Sequence, residues 1–324
     1  MKEGDSILKE QCYGVEIELT GITRKQAADA LAELFGTTSR YIGGSYDAYT
    51  VKDPEGKEWK TMNDASITPQ KRQEGRRVVV VDGTYKVELV TPKLTYEEME
   101  KLQSAIRCMR KAGGFVNESC GIHVHIDGAN HTQKSLKNLL SIMYAKEDIL
   151  FHALQVNEAR AREFCQKVRE PMLQRARRLS SSETTDLTQL EHIWYGSNRT
   201  CMTRRTHYHH TRYYALNLHS MFYRGTVEFR MFNSTLHAGE VRAYVTLCLA
   251  MSAQAIAQRG TVLRKTQSDN EKFTFRTWLI RLGLNGEEFK AVRKHLLKHL
   301  DGDPSWRYER SSYACNQRPR NIER

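Results

Sequence analysis

The sequence predicts an α+β fold in which a mostly antiparallel, curved sheet carries its helices on one face. Three observations predict this class. Several short segments alternate apolar and polar residues, as strands with one buried face do. Longer segments between them space their apolar residues as amphipathic helices do. Pairs typical of hairpin turns, Pro54 with Gly56 and Asp82 with Gly83, stand between neighbouring strand segments.

The elements of the first third follow from this pattern in order. A strand is predicted over residues 12–20, and a helix over about 24–35 that Thr20 or Thr23 caps and Gly36 ends. Two hairpins follow, with strand segments at residues 46–51 and 58–62, and then at 78–82 and 85–90. The polar and basic residues 68–77 between the hairpins are expected to form a surface loop.

The rest of the chain alternates helices with three more strands. Thr95 and Glu98 form a capping box for a helix to about residue 112. Strands are expected at residues 121–127, 212–220 and 226–231, and helices at 132–178, 238–258, 272–283 and 286–300. Pro171 is expected to interrupt the long helical segment. Residues 196–212 are too polar for a core and are typical of an active-site loop.

The strand at Gly121-Ile122-His123-Val124-His125-Ile126-Asp127 is the most informative stretch. Strict alternation places His123, His125 and Asp127 on one face and three apolar residues on the other. Imidazoles at positions i and i+2 lie roughly 7 Å apart, which is close enough to serve one cluster of metal ions and phosphates.

Other strand segments repeat this design with carboxylates. If they share one sheet with the His-x-His strand, one face carries the following charged set: Glu16, Glu18, Glu88, His123, His125, Glu228 and Arg230. Four carboxylates so close together repel one another unless divalent cations neutralise them. The pattern therefore indicates a metal site. Taken singly, the pairs Glu16/Glu18 and Glu228/Arg230 are equally consistent with solvated strand faces or surface ion pairs.

The composition is that of an ordinary globular protein with a basic surplus. The chain has 324 residues, of which 40% are hydrophobic, and no segment is apolar for long enough to span a membrane. The N-terminus lacks the apolar core of a signal peptide, and the seven cysteines are scattered, so we expect a cytoplasmic protein with free thiols.

A net charge of +12 favours polyanionic partners such as nucleotide phosphates, nucleic acid or an acidic peptide. The excess is concentrated in residues 160–178, 199–212 and 307–324. These stretches could recruit an acidic peptide or protein substrate, and part of the charge could simply keep the protein in solution.

Five motifs, in order, resemble the amidoligase branch of the glutamine synthetase and glutamate–cysteine ligase superfamily. The resemblance covers roughly residues 12–258, and its motifs begin at Gly14, Asn63, Glu88, Gly121 and Thr226, with further likeness at 212–218 and 232–236. It implies a glutamine synthetase-like catalytic domain over residues 1–260 and a helical C-terminal extension with a basic tail over residues 261–324.

The resemblance also implies an activity: an ATP-dependent carboxylate–amine ligase that works through an acyl phosphate. Mg²⁺, or Mn²⁺ in its place, would bridge the phosphates. By position, the metal ligands are Glu16, Glu18, Glu88, His123 and Glu228. His125 matches the residue that approaches the nucleotide phosphates, and Arg230 matches the arginine that stabilises the transferred phosphoryl group, so Arg230 and Glu228 are the catalytic candidates. Arg212 and Asn217 are assigned to phosphate or substrate.

The chain departs from glutamine synthetase itself in two ways. It has no room for a separate N-terminal domain, and its ammonium-binding aspartate has no counterpart that we can place. We therefore expect an acceptor other than ammonia, with an amino acid, peptide or protein as the substrate.

Two other functions remain open from the residues alone. A metal-dependent hydrolase would use His-x-His to hold zinc and activate water, and it would need no nucleotide. A nucleic-acid-binding protein would account for the charge, yet the sequence has no RRM, zinc-finger or helix-turn-helix signature. No membrane partner is expected.

Overall fold

The computed structural model of the protein describes residues 7–196, 203–261 and 264–307. Cys201, Cys315 and most of the predicted basic tail lie outside these ranges, as do residues 197–202 of the predicted active-site loop.

An eight-stranded antiparallel sheet is the centre of the molecule. In spatial order its strands run β2-β3-β4-β7-β1-β8-β10-β9, and every neighbouring pair is antiparallel. The strands are β1 (Tyr13–Leu19), β2 (Ser39–Gly43), β3 (Ala48–Lys52), β4 (Glu58–Met62), β7 (Val87–Val90), β8 (Gly121–Asp127), β9 (Leu216–Asn217) and β10 (Thr226–Asn233). A separate hairpin joins β5 (Gln70–Gln73) to β6 (Arg76–Val79).

Helices fill the sequence between the strands. They are α1 (Arg24–Phe35), α2 (Met99–Lys111), α3 (Gln133–Leu154), α4 (Glu158–Glu163), α5 (Glu170–Arg177), α6 (Thr188–Tyr195), α7 (His219–Arg224), α8 (Ala238–Ala257), α9 (Glu271–Arg281) and α10 (Lys290–Leu297). Within the described ranges, no helix combines the length and the apolar character that a membrane crossing requires.

The core lies between the apolar face of the sheet and the helices α1, α3 and α8. Ile17, Leu89, Val124 and Phe229 point into this layer and are fully buried. Burial of each such side chain contributes about 1.5–3 kcal/mol relative to exposure. Because strand residues alternate between faces, the same burial fixes the neighbouring polar residues on the opposite face of the sheet. The predicted α+β class with a mostly antiparallel sheet is confirmed.

Helix α1 shows why the local predictions succeeded. The side chain of Thr23 accepts a hydrogen bond from the backbone of Gln26, whose side chain bonds back to Thr23, and Gly36 ends the helix at a φ of 66°. The capping box of Thr95 and Glu98 also forms, one turn before α2 begins.

The second predicted hairpin is wrong. Residues 83–85 form a 3-10 turn, because the carboxylate of Asp82 accepts the backbone N–H of Thr84 and caps that turn. The real hairpin lies within the predicted loop, where β5 and β6 meet at Glu74 and Gly75, both with positive φ. Strand β7 instead pairs with β1 and β4.

Two further boundaries differ from the prediction. Only Leu216–Asn217 of the predicted strand 212–220 pairs with β10, and helix α7 follows it directly. Pro171 does not break a helix but lies at the start of α5, where its missing N–H leaves no hydrogen bond unmade.

Helices α9 and α10 pack on one another, and α10 packs on α8. These are the helices of the predicted C-terminal extension. The division of the chain at residue 260 stays a prediction.

Candidate active site

The polar face of the sheet gathers the predicted charged residues on four adjacent strands. The register sets Glu18 opposite Glu88, Glu16 opposite His123, and Glu228 opposite His125. All seven predicted residues of this face therefore lie in one region of the sheet, although they come from distant parts of the sequence. This arrangement follows from strand alternation combined with antiparallel pairing.

Two adjoining groups of side chains have the geometry of metal-ligand sets. Glu16, His123 and Glu228 form one, and Glu18, Glu88 and His123 form the other; within each group the ligand atoms lie within 4.8 Å of one another. Glu18, Glu88, His123 and Glu228 are each less than 10% exposed. The two groups share His123, so the predicted ligands form one continuous cluster.

Hydrogen bonds inside the cluster centre on Glu16. Its Oε2 lies 3.1 Å from Nδ1 of His123, and its Oε1 lies 3.4 Å from Nε2 of His125 and 3.6 Å from Nη1 of Arg224. His125 is oriented through its other nitrogen, which lies 3.1 Å from the hydroxyl of Thr226. Nε2 of His125 is buried without a well-formed hydrogen bond, so it has an unmet requirement for a partner.

The carboxylates differ in their electrostatic state. Burial raises the pKa of Glu18 to about 7, with Asp64 adding to the effect, and burial with the nearby Glu16, Glu18 and Asp64 holds the pKa of Glu88 well above its usual range. For Glu228, burial is outweighed by Arg230, and its pKa falls to about 2. A divalent cation would take the place of the protons on Glu18 and Glu88.

The histidines of the cluster also differ from one another. Burial, assisted by Arg230, lowers the pKa of His123 to about 4, so this imidazole is neutral at physiological pH. A neutral imidazole is the form that binds metal. For His125, burial is outweighed by the carboxylates of Glu16 and Glu228, and its pKa is raised.

Arg230 is a buried cation held in a fixed orientation. Its guanidinium forms an ion pair with Glu228, and its Nε donates to the carbonyl of Phe164 at 3.4 Å. The register between β8 and β10 shifts just after Phe229, which is the signature of a β-bulge at this position. Arg230 is only 4% exposed, so its charge acts in a medium with little water.

The two remaining predicted residues occupy different places. Nδ2 of Asn217 donates to Oε2 of Glu228 at 2.6 Å, which makes Asn217 a support for that carboxylate. Arg212 lines the cavities beside the cluster, with its guanidinium 5.1 Å from the ring centre of Tyr208. Their assignment to phosphate or substrate stays a prediction.

Three cavities border the cluster. One of about 460 Å³ reaches Glu18, Arg160 and Arg230, and a second of about 430 Å³ reaches Glu16, Glu88 and Glu228. A third, of about 370 Å³, is lined by His125, Thr226 and Lys93. The cluster is thus reachable from more than one side.

Sequence reasoning left several of these residues without a role. Asp64, which lines two of the cavities, belongs to a motif that supported the resemblance, and its Oδ1 accepts the backbone N–H of Ser66 at 2.7 Å. Arg160 was placed in a basic surface stretch, yet it is 5% exposed. Tyr46 and Tyr208, whose hydroxyls lie 2.6 Å apart, also line two of the cavities, and no sequence signal marked them.

The histidines of the 207–210 segment show no metal-ligand grouping. Nε2 of His207 faces Nη2 of Arg224 at 2.8 Å, and Nδ1 of His209 accepts the backbone N–H of Thr211. The described part of the chain has one more His/Glu grouping, His237 with Glu240 and His295, at the start of α8 and on α10.

The donor set of the cluster fits Mg²⁺ or Mn²⁺. Four carboxylates and one imidazole present mainly hard oxygen ligands, which these ions prefer, whereas zinc favours histidine and cysteine. Such ions would also neutralise the charge repulsion that, together with burial, raises the pKa of Glu88.

Comparisons with known proteins show which family the chain belongs to. No curated protein matches the chain. Among solved structures, a bifunctional glutathione synthetase from Pasteurella multocida matches at 12% identity and a TM-score of 0.35, over 92% of this chain and 48% of that one. The chain thus spans about half the length of that protein, and a likeness of this degree supports no argument.

A family model, described as "Putative amidoligase enzyme", matches residues 9–252. These residues include all the strands and helices that build the cluster, from β1 to β10, and most of α8. The match agrees with the resemblance found in the motifs, and the chain belongs to this amidoligase family.

Proposed function

We propose that this protein is an ATP-dependent carboxylate–amine ligase that forms an amide or isopeptide bond through an acyl phosphate. The observation that supports the proposal most directly is the pair of metal-ligand groups that share His123 beside the buried guanidinium of Arg230. Membership of the amidoligase family supports the ligase class.

The proposed reaction has two steps. A carboxylate oxygen of the first substrate forms a bond to the γ-phosphorus of ATP, and the bond from that phosphorus to the β-phosphate oxygen breaks to release ADP. The amine of the second substrate then bonds to the acyl carbon, the carbon–oxygen bond to phosphate breaks, and the amine loses a proton. The product is an amide with inorganic phosphate.

Each residue of the cluster has a role in this proposal. Glu16, His123 and Glu228 would hold one Mg²⁺, and Glu18, Glu88 and His123 would border the other; the bound ions supply positive charge to the phosphate oxygens. Arg230 would stabilise the negative charge of the transferred phosphoryl group, because a cation fixed in a dry site needs no reorganisation during the reaction.

The nucleotide phosphates would enter from the side of His125. This side chain lines the third cavity together with Lys93 and Arg224, whose positive charges face Asp127 and Glu16 of the same lining. The same cavity includes Gly14 and Gly225, where the absence of a side chain leaves the backbone accessible.

The substrates are a carboxylate and an amine, and an acidic peptide or protein remains our proposal for one of them. Arg162 and Arg177 are exposed residues of the basic stretch 160–178 that could attract such a substrate. The proposal of an acidic partner fails if Arg162→Glu with Arg177→Glu leaves the affinity for acidic peptides unchanged.

Calorimetric titration of ATP into the protein, with and without Mg²⁺, tests the ligase function. We expect micromolar binding that requires Mg²⁺ and weakens at least a hundredfold in Glu228→Gln. Glu100→Gln, which changes an exposed carboxylate on α2, is the matched control and should bind as the unaltered protein does. Absence of nucleotide binding, with zinc in the purified protein and hydrolytic activity without ATP, would instead support the hydrolase. Steeply salt-dependent binding of nucleic acid without turnover would support the third function.

A further inference from the structure

The side chain of Arg160 is a buried cation whose hydrogen bonds are largely unmade within the described part of the chain. The residue is 5% exposed, and its Nε and Nη2 have no hydrogen-bond acceptor among the described residues. Its Nη1 lies 3.5 Å from the carbonyl oxygen of Ser119, at the limit for a hydrogen bond. No carboxylate of the described residues lies within 4.0 Å of the guanidinium. The guanidinium group therefore has hydrogen-bond donors that no described residue uses.

The fold holds the backbone of Arg160 in a fixed place. The side chain of Asn157 caps α4 by accepting the backbone N–H groups of Ala159 and Arg160, and the backbone of Asn157 donates to Oδ1 of Asn233 at the end of β10. The carbonyl of Arg160 accepts the N–H groups of residues 164 and 165. The position of Arg160 is therefore set by the same strand that carries Arg230.

Gly121 makes room for the charged group. A Cβ at this position would overlap the guanidinium of Arg160, so the side chain lies directly against the backbone of β8. The N–H of Gly121 donates to Oε2 of Glu18 at 2.6 Å, which places Arg160 beside the Glu18 side of the cluster. The glycine thus serves a close approach between a cation and the strand that carries His123.

Arg160 faces the 460 Å³ cavity together with two other arginines, Arg212 and Arg230. Arg230 is paired with Glu228, and Arg212 lies over the ring of Tyr208. Of the two buried guanidinium groups, Arg160 and Arg230, Arg160 is therefore the one whose pairing the described residues leave incomplete. A buried charge without a partner is costly, and it persists where a ligand completes it.

We infer that Arg160 binds an oxyanion of the ligand that enters this cavity, either a carboxylate or a phosphate group. A planar guanidinium with two free edges matches both groups, because each presents two oxygens to parallel N–H donors. The inference deepens the proposed function and rests on it for the identity of the anion: a carboxylate would belong to the substrate, and a phosphate to the nucleotide.

The sign of the effect on stability distinguishes a ligand-binding role from a structural one. If Arg160 binds an anionic ligand, replacing it with an apolar residue of similar length removes a charge that is unpaired without that ligand. The ligand-free protein should then unfold at the same or a higher temperature. If Arg160 instead stabilises the fold through its contacts with Gly121 and Ser119, the same substitution should lower the unfolding temperature.

The test is thermal unfolding of the full chain in EDTA, without nucleotide. Sodium glutarate or inorganic phosphate is added, and the Tm is compared with the Tm in sodium chloride of equal ionic strength. We expect one of the two anions to raise the Tm of the unaltered protein by several degrees. Arg160→Met should lose that response and keep an equal or higher Tm without ligand. Arg110→Met, which changes an exposed arginine of α2 outside the basic stretches, is the matched control and should respond fully.

The results of this test can be told apart from the results that test the ligase function. A response to glutarate alone assigns the site to a substrate carboxylate, and a response to phosphate alone assigns it to the nucleotide. An anion response that survives in Arg160→Met, no response in the unaltered protein, or a lower ligand-free Tm in the variant overturns the inference. If Arg160→Met does not fold, Arg160→Lys is used instead, because it keeps the charge but not the two parallel N–H donors. In calorimetry it should bind the same anion at least tenfold more weakly. Unchanged binding overturns the inference. Failure of ATP to bind would remove the ligase proposal and leave these results standing.

Discussion

The carboxylate of Glu16 and the imidazole of His123 face each other across β1 and β8, with 3.1 Å between Oε2 and Nδ1. The same nitrogen lies 3.8 Å from Glu228, while Nε2 of His123 lies 4.0 Å from Glu18. Each ring nitrogen therefore faces a different ligand group. Since a neutral imidazole has one available lone pair, His123 would bind an ion of one group at a time, and its shorter distances to Glu16 and Glu228 favour the ion of that group.

This arrangement predicts the stoichiometry of metal binding. In titrations with Mn²⁺ followed by electron paramagnetic resonance, the unaltered protein should bind two ions. Glu88→Gln should lose the ion beside Glu18 and keep the other, whereas His123→Gln should weaken the ion beside Glu16 at least tenfold. Glu100→Gln again serves as the control. A single ion in the unaltered protein, or equal loss of both ions in Glu88→Gln, would contradict the two-group description.

The ion pair of Glu228 and Arg230 predicts a strong non-additivity in stability. Both side chains are about 95% buried, so Arg230→Met leaves an uncompensated carboxylate and should reduce the free energy of unfolding by about 3–5 kcal/mol. Adding Glu228→Gln should recover most of that loss, since the amide can still accept a hydrogen bond from Asn217. Urea unfolding at pH 7 in EDTA measures both variants. Losses that simply add would show that the pair is not coupled.

Glu147 predicts a pH dependence of stability away from the cluster. Burial raises the pKa of this carboxyl to about 7, although its oxygens accept the backbone N–H of Val168 at 2.9 and 3.0 Å. The folded pKa exceeds the unfolded one, so the contribution of Glu147 to stability is fully present below the unfolded pKa, near 4.5, and is lost as the pH rises through about 7.

Glu147→Gln should therefore be more stable than the unaltered protein at pH 8, by up to about 3 kcal/mol. The difference should vanish as the pH falls below 4.5, where Glu147 becomes protonated in both the folded and the unfolded state. Urea unfolding across this range is the measurement, and a difference independent of pH would show that ionisation of Glu147 is not its cause.

A single methyl group added at Gly121 is expected to lower the stability of the protein. Because a Cβ at this position would overlap the guanidinium of Arg160, Gly121→Ala should reduce the free energy of unfolding by about 1–3 kcal/mol. Gly83→Ala is the matched control, since a Cβ there meets no atom within 4 Å and the backbone φ is not positive. Equal stability of the two variants would mean that the side chain of Arg160 moves aside freely.

Much of the cluster could be predicted because it is built on strands. Alternation puts Glu16 and Glu18 on one face, and the apolar face can be buried in only one way, so the side on which each charged residue lies is fixed by short-range sequence. The structure brings these side chains together, as predicted. The pairing of β7 with β1, which carries Glu88 to Glu18, was harder to foresee because Asp82 and Gly83 suggested a local hairpin instead.

Residues outside the strands were less predictable. A charged residue in a basic stretch has no local mark that tells burial from exposure, and Arg160 is buried only because α4 returns against Gly121. Asp64 lies in the loop between β4 and β5, where no sequence periodicity fixes the direction of a side chain. Asn217 was singled out by the motif, but its contact with Glu228 depends on a two-residue strand that pattern analysis cannot delimit.

The distribution of the ligands along the chain has a consequence for folding. Glu16 stands near the start of the matched segment and Glu228 near its end, and they meet only after β1, β8 and β10 have paired across long loops. Closing such loops is entropically expensive and is typically a late event. Metal affinity of the cluster should therefore be absent from nascent chains that lack β10, and high-affinity uptake of Mn²⁺ can serve as a signal that synthesis and folding of the whole sheet are finished.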